Sequence, residues 1–113
     1  MTTTITGKIL ADGQLATSKA TLFTATAETY VARIIIANTT TSPIKINLYV
    51  KKSGSVSRQI TPLNMVLAGD ANGADCHYFP LTVILAIGDI LEGVCDTITA
   101  ADYLITGGER VDT

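Results

Sequence analysis

The chain has 113 residues, 47% hydrophobic and only 16% charged, with a net charge of −2 at pH 7. That length sets the expectation of one domain, 1–113, and the balance is too apolar and too weakly charged for a disordered chain. Lys51, Lys52 and Arg58 are the densest basic cluster, which disfavours direct nucleic-acid binding, and no apolar run reaches the roughly 18 residues of a membrane span.

MTTTITGKIL lacks a charged region followed by a long apolar core, so it does not read as a signal peptide, and the chain reads as a cytosolic product. The low charge also suggests a surface covered by a partner or another copy. Residues 1–9 read as an N-terminal arm. Four of its first six residues are Thr, with enough β-propensity to add to a neighbour's sheet edge. Lys8 to Ala11 is a short strand candidate that the turn dipeptide Asp12-Gly13 should break. Gln14 to Thr24, with Leu15, Leu22 and Phe23, is the next strand-like run. Ala25 to Thr29 reads as a break, with a short helix at Thr26 to Glu28 as one option.

Tyr30 to Lys52 is the organising stretch. Val31 to Ala37 is richer in Ile and more evenly apolar, and Ile44, Ile46, Leu48 and Val50 then alternate with Lys45, Asn47, Tyr49 and Lys51. A period of two gives a strand with one wet face. Asn38 to Ser42 between them, with Pro43 opening the second strand, predicts a β-hairpin. Ser53-Gly54-Ser55 should turn the chain into a third strand, Val56 to Thr61, completing a meander that Pro62 ends. Leu63 to Ala68 is short and apolar, and Gly69 to Asp75 reads as a loop. Cys76 to Thr82 resumes, interrupted by Pro80. Val83 to Ile87 turns at Gly88-Asp89 into Ile90 to Cys95. Tyr103 to Thr106 is the last strand, and Gly107-Gly108 should release a polar tail, 107–113. No sustained helical period appears. About eight short strands predict an all-β, single-domain antiparallel β-sandwich or jelly-roll-like fold.

The residues offer little chemistry. His77 is the only histidine, and no nucleophile elbow, phosphate loop or dinucleotide fingerprint is present. Asp70, Asn72 and Asp75 have hard-cation oxygens but fail the calcium-loop spacing. Cys76 and Cys95 read as small buried thiols in neighbouring strands, with one disulfide arithmetically open. Carbohydrate readers use aromatic platforms, yet Trp is absent and Tyr49 is the aromatic that faces outward by period. No catalytic, metal-binding or cofactor-binding residue is assigned, and no cofactor is expected.

The phrases ATSKATLFTA, YVARIIIANTT, IKINLYVKKSGSVSRQITP, LAIGDILEGVC and ADYLITGGE occur in an order that resembles small all-β virion proteins of tailed bacteriophages. The likeness runs from Leu15 to Glu109. The resemblance implies a capsid decoration (cement) protein, on the outer capsid surface of a particle made in the bacterial host cytoplasm. It implies as partners the major capsid protein and other virion subunits, with a homo-oligomer, dimer or trimer, and without nucleic acid or membrane. A tail, head–tail connector or fibre component, including a receptor-binding module, is its alternative. The positions expected at such contacts are Thr2, Thr3, Thr4 and Ile5 in the arm, Glu109 and Arg110 in the tail, and the wet face of Lys45, Asn47, Tyr49 and Lys51.

Overall fold

Alternation decides which side of each strand faces the core. Ile44, Ile46 and Leu48 are buried, and Lys45 is exposed. Leu91 and Cys95 are buried, and Gly93 lies between them on the same inward face. A side chain at Gly93 would press on Leu15, Leu22 and Leu48. Each large aliphatic side chain sealed this way contributes about 1.5–3 kcal/mol.

The computed structural model describes residues 2–61, 63–67, 76–79 and 83–112, with only the backbone described for Cys76–Phe79. Among these residues are ten strands and no helix. They are β1 (Thr3–Gln14), β2 (Ala20–Thr24), β3 (Thr29–Asn38), β4 (Ile44–Lys51) and β5 (Ser57–Gln59), then β6 (Met65–Leu67), β7 (Cys76–Phe79), β8 (Val83–Leu85), β9 (Ile90–Cys95) and β10 (Ala101–Asp112). The first sheet runs β1-β10-β3, with β7 and β8 both beyond β3. The second runs β2-β9-β4, with β5 and β6 both beyond β4.

β7 and β8 pair with different halves of β3, and β5 and β6 with different ends of β4. The ten strands therefore fill eight positions in two antiparallel sheets, four to a sheet. Along most of its length the chain alternates between the sheets, which is the jelly-roll form of the β-sandwich. The core lies between the sheets, with Val31, Ile34, Ile36 and Ile105 from the first meeting Ile46, Leu48 and Leu91 from the second.

The expected central hairpin does not form. β3 and β4 lie in different sheets, so the turn between them is a corner that crosses the sandwich. Asn38 builds that corner. Its buried amide donates to the carbonyls of Ser42 and Leu67 at 2.9 and 3.1 Å. Its Oδ1 accepts from the amide and hydroxyl of Thr40 at 2.9 and 2.8 Å. Both donors and both acceptor sites of the side chain are used, which makes the burial of so polar a group tolerable. The other half of the meander is present. β4 pairs with β5 through the turn at Ser53-Gly54-Ser55, where the Ser55 amide donates to the Lys52 carbonyl at 2.9 Å.

β3 also carries a bulge. Arg33 pairs with Thr106 and Val31 with Gly107, which leaves Ala32 over. The extra residue lets Val31 and Ile34, three apart, both turn inward.

Other turn signals are overridden. Asp12-Gly13 does not break β1, which runs on to Gln14 with a bulge at Leu10. Gly107-Gly108 does not end β10, which continues to Asp112. Gly107 stands opposite the bulge of β3, where a Cβ would lie 2.0 Å from the Tyr30 carbonyl oxygen. Only glycine fits so close an approach. Gly88-Asp89 turns the chain between sheets and not within one, since β8 and β9 lie in different sheets. Buried Asp89 secures that corner by accepting from the amides of Ser53 and Ala86, both at 3.0 Å. Ala25 to Thr29 bends without forming a helix.

The cysteine positions need the same correction. β7 and β9 belong to opposite sheets, so Cys76 and Cys95 are not in neighbouring strands. Cys95 is a free, buried thiol whose pKa burial pushes up. The side chains of Cys76 and His77, and the whole of Asp70, Asn72 and Asp75, lie outside what is described.

Candidate interaction surface

The sequence-predicted contact residues fall into two groups on opposite sheets. Thr3, Thr4 and Ile5 lie on β1, with exposed Thr2 just before it, and Glu109 and Arg110 lie on β10. Lys45, Asn47, Tyr49 and Lys51 lie on β4. The structure thus joins the arm to the tail and leaves the lysine-bearing face apart.

The arm and tail are strands of one ladder. Thr3 pairs with Asp112, Ile5 with Arg110, Gly7 with Gly108 and Ile9 with Thr106. Residues 3–9 and 107–112 are therefore paired with each other within the chain. Side chains tie the end of this ribbon to the start of β3. The Thr3 hydroxyl donates to Asp112 at 2.8 Å, and Arg110 reaches Asp112 at 3.2 Å and Glu28 at 3.1 Å. The Tyr30 hydroxyl donates to the other oxygen of Glu28 at 2.8 Å. Lys8 pairs with Glu109 at 3.1 Å.

These bonds set the local electrostatics. The Tyr30 hydroxyl, and then the Arg110 guanidinium, hold the Glu28 carboxyl below its ordinary pKa. Thr3 and then Arg110 do the same for Asp112. Glu28 in turn raises the pKa of Tyr30 and of Arg110. Beside this network is a shallow depression of about 640 Å³, lined by Glu28, Arg110 and Asp112 with Ile84, Ala86, Ile87 and Asp89. Arg110 bonds both Glu28 and Asp112, Asp89 accepts from the backbone amides of Ser53 and Ala86, and no nucleophile stands among them. Among the described residues no group of His, Cys, Asp and Glu is placed to hold a metal ion.

Among the described residues β1 is the outer edge of its sheet and pairs only with β10. Ten of its twelve residues are exposed, and Ile5 and Ile9 keep 52% and 61% of their surface in solvent. Natural edge strands are shielded by charge, proline or bulges. This one has Lys8, Asp12 and the bulge at Leu10, and its first five residues, Thr3 to Gly7, carry no charge.

The outer face of the other sheet is polar and partly closed. Lys45 is exposed, and Tyr49 and Lys51 are half-buried. The Lys19 ammonium sits 4.6 Å from the centre of the Tyr49 ring, a cation–π contact. Asn47 is not on a wet face as its period predicts. It is 8% exposed, accepts from the Asn64 amide at 2.8 Å and donates to the Asn64 side chain at 3.1 Å. The Ser57 hydroxyl bonds Glu92 on the same face.

Glu28 and Tyr30, which lock the ribbon, were missed by sequence reasoning. Their signal was a single acidic residue in an assumed break. Gly7 and Ile9 fall within the 1–9 arm that the sequence marks out, where Ile5-Thr6-Gly7-Lys8-Ile9 alternates cleanly.

No protein-family model matches the sequence, and no curated protein matches it. Among solved structures, a chain in the structure of the infectious bursal disease virus Gx strain is similar, with a TM-score of 0.51 and 12% identity. The match covers 97% of this chain and 32% of that one, so this chain spans about a third of its neighbour's length. At that identity the likeness is one of fold.

Proposed function

We propose that the chain is a non-enzymatic structural component of a virus particle, working as a decoration (cement) protein on the outer surface of a tailed-bacteriophage head. The observation that carries this reading is the edge strand β1, twelve residues long with ten of them exposed, at one end of the first sheet. A clamp between subunits needs a rigid body and an open edge or face, and it needs no pocket for chemistry. The shared fold with a chain from a virus structure supports the reading, as does the bacteriophage resemblance of the sequence.

In this reading the protein works through two surfaces. The β1–β10 ribbon, with Thr2, Thr3, Thr4, Ile5, Glu109 and Arg110, contacts neighbouring virion subunits. The outer face with Lys45, Tyr49 and Lys51 meets the major capsid protein, while Asn47 holds the 64 turn beneath it.

The test mixes purified protein with expanded phage capsids that lack it, then heats and sediments them. Saturable binding with delayed capsid disruption is the expected result. Absence of binding, with the chain found instead on tails or fibres of intact particles, replaces this reading with the tail-component one. Removing residues 1–6 leaves the fold intact and lowers occupancy on the particle. Unchanged occupancy would show that the ribbon is not a contact.

A further inference from the structure

The open side of β1 has a directional signature. The Arg110 amide donates to the Glu28 carbonyl at 2.9 Å, so the backbone groups of Arg110 face β3. Backbone groups of successive strand residues point to opposite sides. Glu109 and Val111 therefore face β1, where their register partners are Thr6 and Thr4. Thr4, Thr6 and Lys8 then spend their backbone groups on β10. Ile5, Gly7 and Ile9 direct theirs to the empty edge.

The side chains of those same three residues form a pattern that reads alike in both directions. Ile5 and Ile9 stand on one face, both exposed, with Gly7 between them. The face is the outer one, because their partners Arg110 and Thr106 alternate with inward-facing Ile105. A symmetric dimer interface must be complementary to itself. Ile5-Thr6-Gly7-Lys8-Ile9 meets that condition when a second copy runs antiparallel about Gly7.

We propose that β1 is a homodimerisation edge, pairing with β1 of a second copy about a two-fold axis through Gly7. Ile5 then lies opposite the partner's Ile9, and Gly7 opposite the partner's Gly7. All three positions offer their unbonded amides and carbonyls to one another. The four isoleucines close over the gap at the paired glycines. Charge fits as well. Lys8 lies opposite the partner's Thr6, so no like charges meet. Thr6 is the register partner of Glu109, so each Lys8 enters a row that ends in the other copy's Glu109. The first sheets of the two copies join into one continuous sheet across the axis.

This inference does not depend on the virion reading and is tested without capsids. One strand pair with four isoleucines covers less than the roughly 800 Å² per partner of a standard interface. The dimer is therefore expected to form in a concentration-dependent way. Sedimentation equilibrium of the full chain should rise from 11.9 kDa toward twice that mass. Gly7→Pro removes an amide that faces the open edge and leaves the bonds to β10 intact. Ile9→Lys keeps the backbone and disrupts the apolar row. Both variants should sediment as monomers with unchanged circular dichroism; if Gly7→Pro fails to fold, Ile9→Lys alone decides. In the predicted register, residue 6 of one copy stands about 4.5 Å, Cα to Cα, from residue 8 of the other. A Thr6→Cys/Lys8→Cys double variant should therefore oxidise to a dimer linked 6 to 8 by peptide mass. A monomer at every concentration, a trimer, a dimer unaffected by Ile9→Lys, or a crosslink mapped elsewhere would overturn the proposal.

Discussion

The corner at Asn38 and the ribbon of β1 with β10 are both made of Thr-, Ile- and Ala-rich sequence, yet they are held in opposite ways. At the corner every polar atom of one buried side chain is spoken for, and the strands on either side are sealed between the sheets. The ribbon has a backbone ladder and a row of exposed ion pairs, with solvent on both faces of its outer strand. Burial with complete hydrogen bonding fixes the first. The second is fixed by repetition, which leaves it an unfilled side. The same composition thus yields a frame in one place and an open edge in the other.

The largest effect is expected where the ribbon meets the bulge of β3. Gly107→Ala sets a methyl against the Tyr30 carbonyl, and backbone must move to admit it. A loss of at least ~3 kcal/mol in urea unfolding is expected. A neutral result would mean that the bulge at Ala32 is free to relax. Next in size is Asn38→Leu, which keeps the bulk but strands the carbonyls of Ser42 and Leu67. Its expected cost is about 2–3 kcal/mol, read the same way. A smaller change would show that water can enter the corner.

Effects at the ribbon should be local. Arg110→Gln removes the charge shared by Glu28 and Asp112. Exposed pairs contribute little to global stability, so the urea midpoint should hold while hydrogen-exchange protection at 109–112 falls. A shifted midpoint would make the network part of the frame. Acid gives the mildest test. Glu28 and Asp112 have folded-state pKa values below their unfolded ones. Their stabilisation is complete above the unfolded carboxylate range and is lost as pH falls through the folded values. Protection at the ribbon end, corrected for intrinsic exchange, should fall on acidification and be unchanged between neutral and mildly alkaline pH. Loss at alkaline pH would point to another group.

The sequence made the two faces of β4 and β9 legible, because Ile44, Ile46, Leu48 and Leu91, Gly93, Cys95 obey a period of two that burial enforces. It also conveyed the all-β character, since breaks at Ser53-Gly54 and Gly88-Asp89 punctuate the strands. About eight short strands were expected, whereas ten are present among the described residues, two of them twelve residues long. Strand partnership was not legible. A short loop between two apolar runs suits a hairpin or a crossing between sheets, and only long-range contacts such as Asn38 to Leu67 choose. Asp12-Gly13 and Gly107-Gly108 misled for a related reason. Their local preference is a turn, but each lies in a strand whose pairing outweighs it. The grouping of the candidate residues was half visible. Thr3, Ile5 and Arg110 proved to be neighbours, whereas the meaning of Gly7 depends on which backbone groups β10 has already taken.

The pairing of Thr3 with Asp112 has a mechanical consequence. A load applied at those two residues would pull the ladder open from one end, one hydrogen bond at a time, the geometry in which an antiparallel pair is weakest. The same load delivered along β1 from a neighbouring strand would be shared by every bond at once. If the protein bears tension in an assembly, it bears it lengthwise along its edge, and its chain ends are the places where it would be peeled.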